Sequence, residues 1–233
     1  MFPNIRNIYF PMRAQTFIST AEAAFVGRLT DRQINRIVDE HLVPPWLLSQ
    51  TGNSRSFARL TAAFARFYID MENTLAAGAR RYVVDTLCKR VSDLELDQRQ
   101  VVLRLADLPK NLDWSVTMPN VVVDIAPYVA DAYTRAKEID RADSLVAIDP
   151  ETMSGAPSFA GTRVPIEVVL ASLDEGVSME RLKASYPFLT DAHVEAARTY
   201  AAVHPRRGRP RKLMEHHPTL RERSSKVVRP TRR

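Results

Sequence analysis

The sequence has few of the residues that build cofactor and metal sites. Its 233 residues include one cysteine, Cys88, and only seven glycines. One cysteine cannot form a disulfide within the chain or a cysteine zinc cluster. No GxxxxGK(S/T), GxSxG or HExxH pattern is present, so the signatures of a phosphate-binding loop, a serine hydrolase and a zinc protease are missing. We therefore predict that the protein is not an enzyme and has no catalytic residue, no cofactor and no metal.

Long apolar runs are missing as well. No stretch approaches the roughly 18 consecutive apolar residues of a membrane-spanning helix. The first ten residues mix Pro3, Asn4 and Arg6 with apolar residues and lack the apolar core of a signal peptide. We expect a cytoplasmic protein without a membrane contact, and an unpaired cysteine agrees with a reducing compartment.

The positive charge is concentrated at one end of the chain. The formal charge is +6 and the pI about 9.7. From His204 onward 11 Lys or Arg residues stand against two Glu, so this segment carries about +9 and the remainder about −3. Residues 205–233 are rich in Pro, Ser and Arg and predict a disordered basic tail. Such a tail indicates binding to a polyanion, most often nucleic acid; a merely solubilising tail is the alternative.

The N-terminal part has the pattern of a helix-turn-helix. Capping-box sequences at Ser19–Glu22 and Thr30–Gln33 begin two short helices, and Gly27 ends the first. Two apolar segments around Gly52-Asn53 then indicate a hairpin, or wing. We predict a winged helix-turn-helix over residues 14–70.

The middle of the chain, residues 71–143, is predicted to join two modules and to help form a homodimer. A helical pattern runs from about Thr61 to Val91 and predicts a long helix there. Three β-branched runs separated by turn residues predict a small antiparallel meander. These runs cover residues 101–105, 114–118 and 121–125.

The last folded part is predicted to be a trihelical domain over residues 144–204. A short strand, Val146–Ile148, precedes three short helices between Pro165 and Val203. We place Pro165 at the first position of a helix, where its missing N–H is tolerated. The predicted fold class is therefore mainly α with a small β meander, a winged helix-turn-helix, a trihelical helix-turn-helix-like domain and a basic tail.

The second helix of the helix-turn-helix is the candidate DNA-reading element. Such helices enter the major groove, where an Arg side chain can form two hydrogen bonds to guanine and an Asn side chain two to adenine. The outward residues of this helix include Arg32, Asn35 and Arg36, and Arg28 lies just before it, within reach of a phosphate.

Three acids on the same helix oppose this interpretation. Asp31, Asp39 and Glu40 would lie close to DNA phosphates. The alternatives are an ordinary helical hairpin with polar outer residues, or an interaction scaffold that has lost DNA contact.

Residues 16–67 also resemble the winged helix-turn-helix of the MerR class. The matching segments are Ser19–Ala24, Ile37–Pro45 and Arg55–Phe57. The resemblance implies that Arg55, in the wing, contacts the DNA backbone.

The basic tail contains the core of an AT-hook. The core consists of Arg207, Gly208, Arg209 and Pro210, and it is followed by Arg211. Glycine lets a backbone lie flat in the narrow minor groove of A·T-rich DNA, where arginines follow the negative potential. We expect this segment to add DNA affinity without reading sequence.

A longer series of motifs resembles the domain of unknown function 433 family. The matching segments are Ile148–Pro157, Gly161–Pro165, Ile166–Gly176, Tyr186–Thr190 and Ala196–Ala201. The family-motif residues are Gly155, Pro157, Gly161, Thr162, Arg163 and Pro165. For the 161–163 turn we favour a structural role, in which Gly161 adopts an unusual backbone angle, Thr162 caps and Arg163 pairs internally.

The resemblance implies a function. Members with an added helix-turn-helix resemble VapB-type antitoxins, which pair with small PIN-domain ribonuclease toxins. This implies a dimeric antitoxin that occludes its toxin, binds operator DNA and acts as a transcription repressor of its own operon. The alternative is a stand-alone transcription regulator that needs no toxin partner.

Overall fold

The structure of the protein is a computed structural model that describes residues 16–52, 54–151 and 153–205. Within these ranges the chain is mainly helical, with three small antiparallel sheets. No helix there has the length and apolar character needed to cross a membrane. The predicted tail, apart from Pro205, lies outside the described residues.

The N-terminal elements combine two short helices with a three-stranded sheet. The strand order is β1-β3-β2, and both pairs are antiparallel. The elements are β1 (Phe17–Ser19), α1 (Thr20–Gly27), α2 (Asp31–Asp39), a 3-10 turn (Pro45–Leu47), β2 (Leu48–Thr51) and β3 (Ser54–Ala58).

The two predicted capping sequences behave differently. At α2 the box is complete, because Thr30 accepts from the Gln33 backbone and the Gln33 side chain accepts from Thr30. At α1 only half forms: Ser19 Oγ accepts from the Glu22 N–H at 3.2 Å. The Glu22 carboxylate does not turn back, because it pairs with Arg59 instead.

The expected long helix over residues 61–91 is wrong, because the chain forms α3 (Arg59–Asp70) and α4 (Ala77–Ser92). Arg80 bridges this break. Its guanidinium donates to the carbonyls of Tyr68 and Leu75 and lies over the Tyr68 ring. Arg80 thereby satisfies one carbonyl of the last turn of α3 and one carbonyl of the connection to α4.

The expected meander is correct in two strands and wrong in the third. β4 (Ser115–Met118) and β5 (Val121–Asp124) form a hairpin, but residues 101–105 do not join it. They fall in and just after α5 (Leu96–Leu103), whose Val102 and Leu103 are buried in the core. Packing of this apolar face outweighs the strand preference of β-branched residues.

The C-terminal part has the three predicted helices. They are α7 (Ile166–Asp174), α8 (Met179–Ser185) and α9 (Asp191–Val203). The preceding elements are α6 (Ala126–Leu145), β6 (Val146–Ala147) and β7 (Ser158–Phe159). Two details differ: the first strand ends before Ile148, and Pro165 is the N-cap of α7 rather than its first residue.

Two apolar cores share helix α6. The larger core contains Val129 and Ile139 of α6 together with buried side chains of residues 18–125. The smaller core contains Ala142 of α6 together with side chains of residues 146–200. Because α9 packs along α6 as well, the N-terminal and C-terminal parts are held by one continuous helix.

A buried arginine fixes α6 against the N-terminal helices. Arg59, with a side chain 8% exposed, contacts Glu22 of α1 at 3.2 Å and Asp140 of α6 at 2.7 Å. Burial raises the pKa of the Glu22 carboxyl, and the neighbouring Arg59 charge opposes this rise. The cluster therefore joins α1, α3 and α6 at one point.

Glycine is required where α1 approaches α3. Gly27 ends α1 as predicted, but not because of a left-handed backbone, which Arg28 adopts instead at φ 50°. A Cβ on Gly27 would lie 2.9 Å from the carbonyl oxygen of Ala62 in α3. Only a residue without a side chain permits this contact between the helices.

Replacing Arg59 with Met should lower the free energy of unfolding by about 3 kcal/mol, because two carboxylates lose their buried partner. Urea denaturation at pH 7 measures this loss. The loss should shrink as the pH falls toward the ordinary glutamate pKa, since the raised pKa of Glu22 lets the folded state take up a proton first. Arg141→Met, at an exposed position of α6, is the control and should change stability by less than about 0.5 kcal/mol. A loss at Arg59 below about 1 kcal/mol would contradict the cluster's role.

Gly27→Ala should destabilise the protein by about 1–2 kcal/mol, because the added methyl group meets the Ala62 carbonyl. The matched control is Gly78→Ala in α4, where a Cβ meets nothing within 4 Å. That change should be neutral or stabilising by up to about 1 kcal/mol, as alanine favours helix. Equal effects of the two substitutions in thermal unfolding would rule out the proposed contact constraint.

Candidate nucleic-acid interface

Helices α1 and α2 form a compact pair joined by a three-residue turn. Ile34 and Ile37 of α2 are buried, which seats one side of this helix on the core. The opposite side of α2 is exposed and carries Arg32 and Arg36. The sequence therefore assigned the inward and outward sides of α2 correctly.

The turn between α1 and α2 is held by α3 and α6. Arg66 of α3 donates to the Arg28 carbonyl at 2.9 Å. Arg135 of α6 donates to the Phe25 carbonyl at 2.7 Å, and its guanidinium lies 3.9 Å from the centre of the Phe25 ring. Helix α6 therefore contacts both the end of α1 and the C-terminal core.

The side chain of Arg28 is occupied by a carboxylate. Its Nε and Nη2 atoms each donate to a carboxylate oxygen of Asp131 of α6 at 2.8 Å, in a bidentate ion pair. This hydrogen bonding and the Asp131 charge raise the pKa of Arg28. Arg28 can contact a phosphate, as predicted, only by exchanging Asp131 for it.

Arg55 connects the β2–β3 hairpin to α2. One nitrogen of its guanidinium lies 3.3 Å from Asn35 Oδ1, and another lies 3.0 Å from Asp39 Oδ1. The Asn35 amide nitrogen donates in turn to the Asp31 carbonyl at 2.9 Å. Both polar atoms of the Asn35 side chain are therefore used within the protein.

Arg36 is paired with two acids, whereas Arg32 has neither a hydrogen bond nor an ion pair within the described residues. Arg36 contacts Glu40 at 2.5 Å and Glu72, after α3, at 3.4 Å. Both contacts raise the pKa of Arg36, Glu40 most strongly. Arg32 is exposed at the first turn of α2. It is therefore the predicted DNA-contacting residue of α2 that is most available to a ligand.

We define the α2 surface by the polar residues on and next to the outer side of this helix. It has four carboxylates against three guanidinium groups, so its formal charge is −1. Its members are Asp31, Arg32, Asn35, Arg36, Asp39, Glu40, Arg55 and Glu72. Two of the acids that oppose DNA binding are paired with arginines of this surface: Asp39 with Arg55 and Glu40 with Arg36. Glu72 and Asp131 were missed, because only the fold brings them near.

The family-motif residues build a corner between β7 and α7. Gly161 has φ 74°, and the Thr162 hydroxyl donates to the Phe159 carbonyl at 2.9 Å and accepts from the Val164 N–H at 3.1 Å. These are the structural roles predicted for both residues. Arg163 is exposed and makes no ion pair among the described residues, so its expected internal pairing is wrong.

The remaining motif prolines and glycine shape the same corner. The Pro157 carbonyl accepts from the Ile166 N–H at 3.0 Å, and Pro165 pairs with Ser158 through an isolated bridge. Gly155 has φ 77°, a conformation that favours glycine. These residues support the fold of the C-terminal part.

Other predicted sites stay predictions. The AT-hook-like residues lie outside the described part of the chain; they are Arg207, Gly208, Arg209 and Arg211.

Within residues 16–52, 54–151 and 153–205, no group of three or more His, Cys, Asp or Glu side chains could hold a metal ion. Cys88 is buried in α4, and burial, with the Asp85 charge, raises the pKa of its thiol to about 12.

This chain is similar to an uncharacterized bacterial protein and to one solved mycobacterial structure. The chain is 29% identical over 194 residues to the uncharacterized protein y4eO of Sinorhizobium fredii. This match covers 83% of this chain and 84% of that protein. A solved structure, that of Rv2018 from Mycobacterium tuberculosis, matches at 18% identity with a TM-score of 0.35, over 77% of this chain and 95% of the other. Residues 146–201 match the family model described as a protein of unknown function, DUF433. This segment contains β6, β7, α7, α8 and nearly all of α9.

Proposed function

We propose that this chain is the antitoxin of a type II toxin–antitoxin pair, binding its operator DNA as an autorepressor and neutralising a PIN-domain ribonuclease. The two activities draw on different parts of the molecule. The α2 surface and the basic tail serve DNA, and the toxin partner is inferred from the DUF433 resemblance. The observation that carries the DNA half is that Arg55 joins the β2–β3 hairpin to α2 beside the exposed Arg32.

In this proposal the unit acts as a winged helix-turn-helix, with α2 as the recognition helix and the hairpin as the wing. Arg32, in the first turn of α2, lies where recognition helices meet base edges. Arg55 lies on the hairpin strand next to α2, so both elements can contact one stretch of duplex. Burial of Ile34 and Ile37 keeps the polar side of the helix directed outward.

The acids of the α2 surface make DNA contact an exchange reaction. Arg55 is 34% and Asp39 60% exposed at the side chain, so their ion pair is partly solvated and weak. A phosphate can replace Asp39 as the partner of Arg55 at little cost. The exchange leaves carboxylates near the DNA, which favours a role for the +9 tail in supplying affinity.

A homodimer fits the proposed repressor, because helix-turn-helix dimers bind two half-sites about 34 Å apart. The exposed residues Val121 and Val122 lie on β5, in the middle region to which the sequence assigned dimerisation. The C-terminal DUF433 domain is coupled to α2 through α6, so toxin bound there can influence the DNA-binding end.

Asp39→Asn should tighten binding to the DNA upstream of the chain's own gene by about fivefold, because it removes one carboxylate and releases Arg55. Arg32→Ala should weaken binding by about tenfold. Fluorescence anisotropy over a salt series measures both, and the affinity should fall steeply with salt.

The matched control for Asp39→Asn is Asp97→Asn, because Asp97 is also an exposed acid but lies in α5, outside the α2 surface. It should leave the affinity within twofold. If Asp39→Asn and Asp97→Asn behave alike while Arg32→Ala binds normally, the α2 surface is not the DNA contact. Binding by neither the native chain nor any variant at low salt would favour the interaction scaffold.

The toxin half is tested by expressing the gene with its genomic neighbours, tagging this chain and identifying what co-purifies in stoichiometric amount. We expect a small PIN-domain protein that is toxic when expressed alone and harmless with this chain. Recovery of this chain alone, or with DNA only, would overturn the antitoxin assignment in favour of a stand-alone regulator.

A further inference from the structure

A cleft of about 510 Å³ opens in the DUF433 domain between α7 and α9. Its apolar lining includes Leu170, which is half-buried, and Ile148, which is 37% exposed. Glu167 and Asp174 of α7 also line it, and no Lys or Arg does. An apolar cleft with carboxylates along one helix suits an apolar side chain that is preceded or followed by basic residues.

The charge of α7 strengthens the preference of the cleft for a basic segment. Residues 166–175, which form α7 and its C-cap, contain three acids and no Lys or Arg. Glu167 and Asp174 are seven positions apart, about two helical turns, with Leu170 between them. A basic segment lying along α7 would therefore meet a carboxylate at each end of the apolar contact.

The chain itself supplies such a segment at the rim of the cleft. His204 lines the cleft, and it is followed by Pro205, where the described part of the chain ends. Five of the next seven residues, 206–212, are Arg or Lys, and Leu213 and Met214 follow them. The seven residues between Pro205 and Leu213 make eight Cα-to-Cα steps, which can span up to about 26 Å, enough to return to the cleft.

We infer that the cleft between α7 and α9 binds Leu213 and Met214 of the chain's own tail, with the preceding basic residues beside Asp174 and Glu167. Covalent attachment gives this segment an effective concentration in the millimolar range, so a weak contact suffices. The AT-hook-like residues 207–211 lie between the attachment point and the docked pair. Docking therefore withholds them from a polyanion until the polyanion competes successfully. The inference concerns an intramolecular contact and holds whether or not the chain is an antitoxin.

Disulfide trapping in the full chain tests the contact directly. The native Cys88 does not interfere, because it is buried and its thiol pKa is about 12. One variant carries Ala171→Cys, at an exposed cleft position, with Met214→Cys. The matched control carries Ala184→Cys with Met214→Cys, since Ala184 is exposed on α8 of the same domain but does not line the cleft.

We expect the disulfide between positions 171 and 214 to form within one chain at least tenfold faster than the control disulfide. Adding Asp174→Lys or Leu213→Asp to the first variant should remove most of that difference. Equal rates in the two cysteine pairs would overturn the inference. A disulfide formed mainly between two chains, seen as a dimer on a non-reducing gel, would overturn it in favour of docking on a second copy.

Discussion

The position of α6 is the constraint on which the other parts of this structure depend. Arg59, almost fully buried, pairs with Glu22 and Asp140 and thereby fixes α6 against α1 and α3. A buried charge tolerates little displacement from its partners, because unpaired carboxylates in this environment are costly. The raised pKa of Glu22 records that cost. Since α6 also contributes to the smaller core and packs along α9, one ionic cluster sets the relation between both ends of the molecule.

The same helix determines what the candidate DNA-binding unit presents to solvent. Asp131 of α6 neutralises Arg28, and Arg135 holds the end of α1 through the Phe25 carbonyl and ring. Glu72, just beyond α3, contributes to the neutralisation of Arg36. Although α2 carries exposed arginines, the α2 surface as a whole therefore has a formal charge of −1. In the proposed function, specificity comes from a few exchangeable contacts, and attraction to DNA comes from the tail.

Local signals were sufficient for the helices near both ends of the chain. Thr30 and Gln33 form the expected reciprocal cap, and the three-residue spacing of Ile34 and Ile37, which puts both on one side of a helix, identified the buried side of α2. Local patterns did not predict the structure of residues 101–105, where burial of Val102 and Leu103 favours a helix. They also missed the break between α3 and α4, which is bridged by hydrogen bonds from Arg80 to the Tyr68 and Leu75 carbonyls.

The sequence by itself determined the mainly helical class, the DUF433 segment, the inward and outward sides of α2 and the concentration of basic residues after His204. These properties follow from spacing and composition over short distances along the chain. Only the tertiary structure decided which arginines are already paired, why Gly27 must be glycine and where the cleft beside His204 lies. Those features arise from contacts between residues up to about a hundred positions apart, such as Arg28 with Asp131, and no local pattern encodes which partners the packing of α6 will bring together.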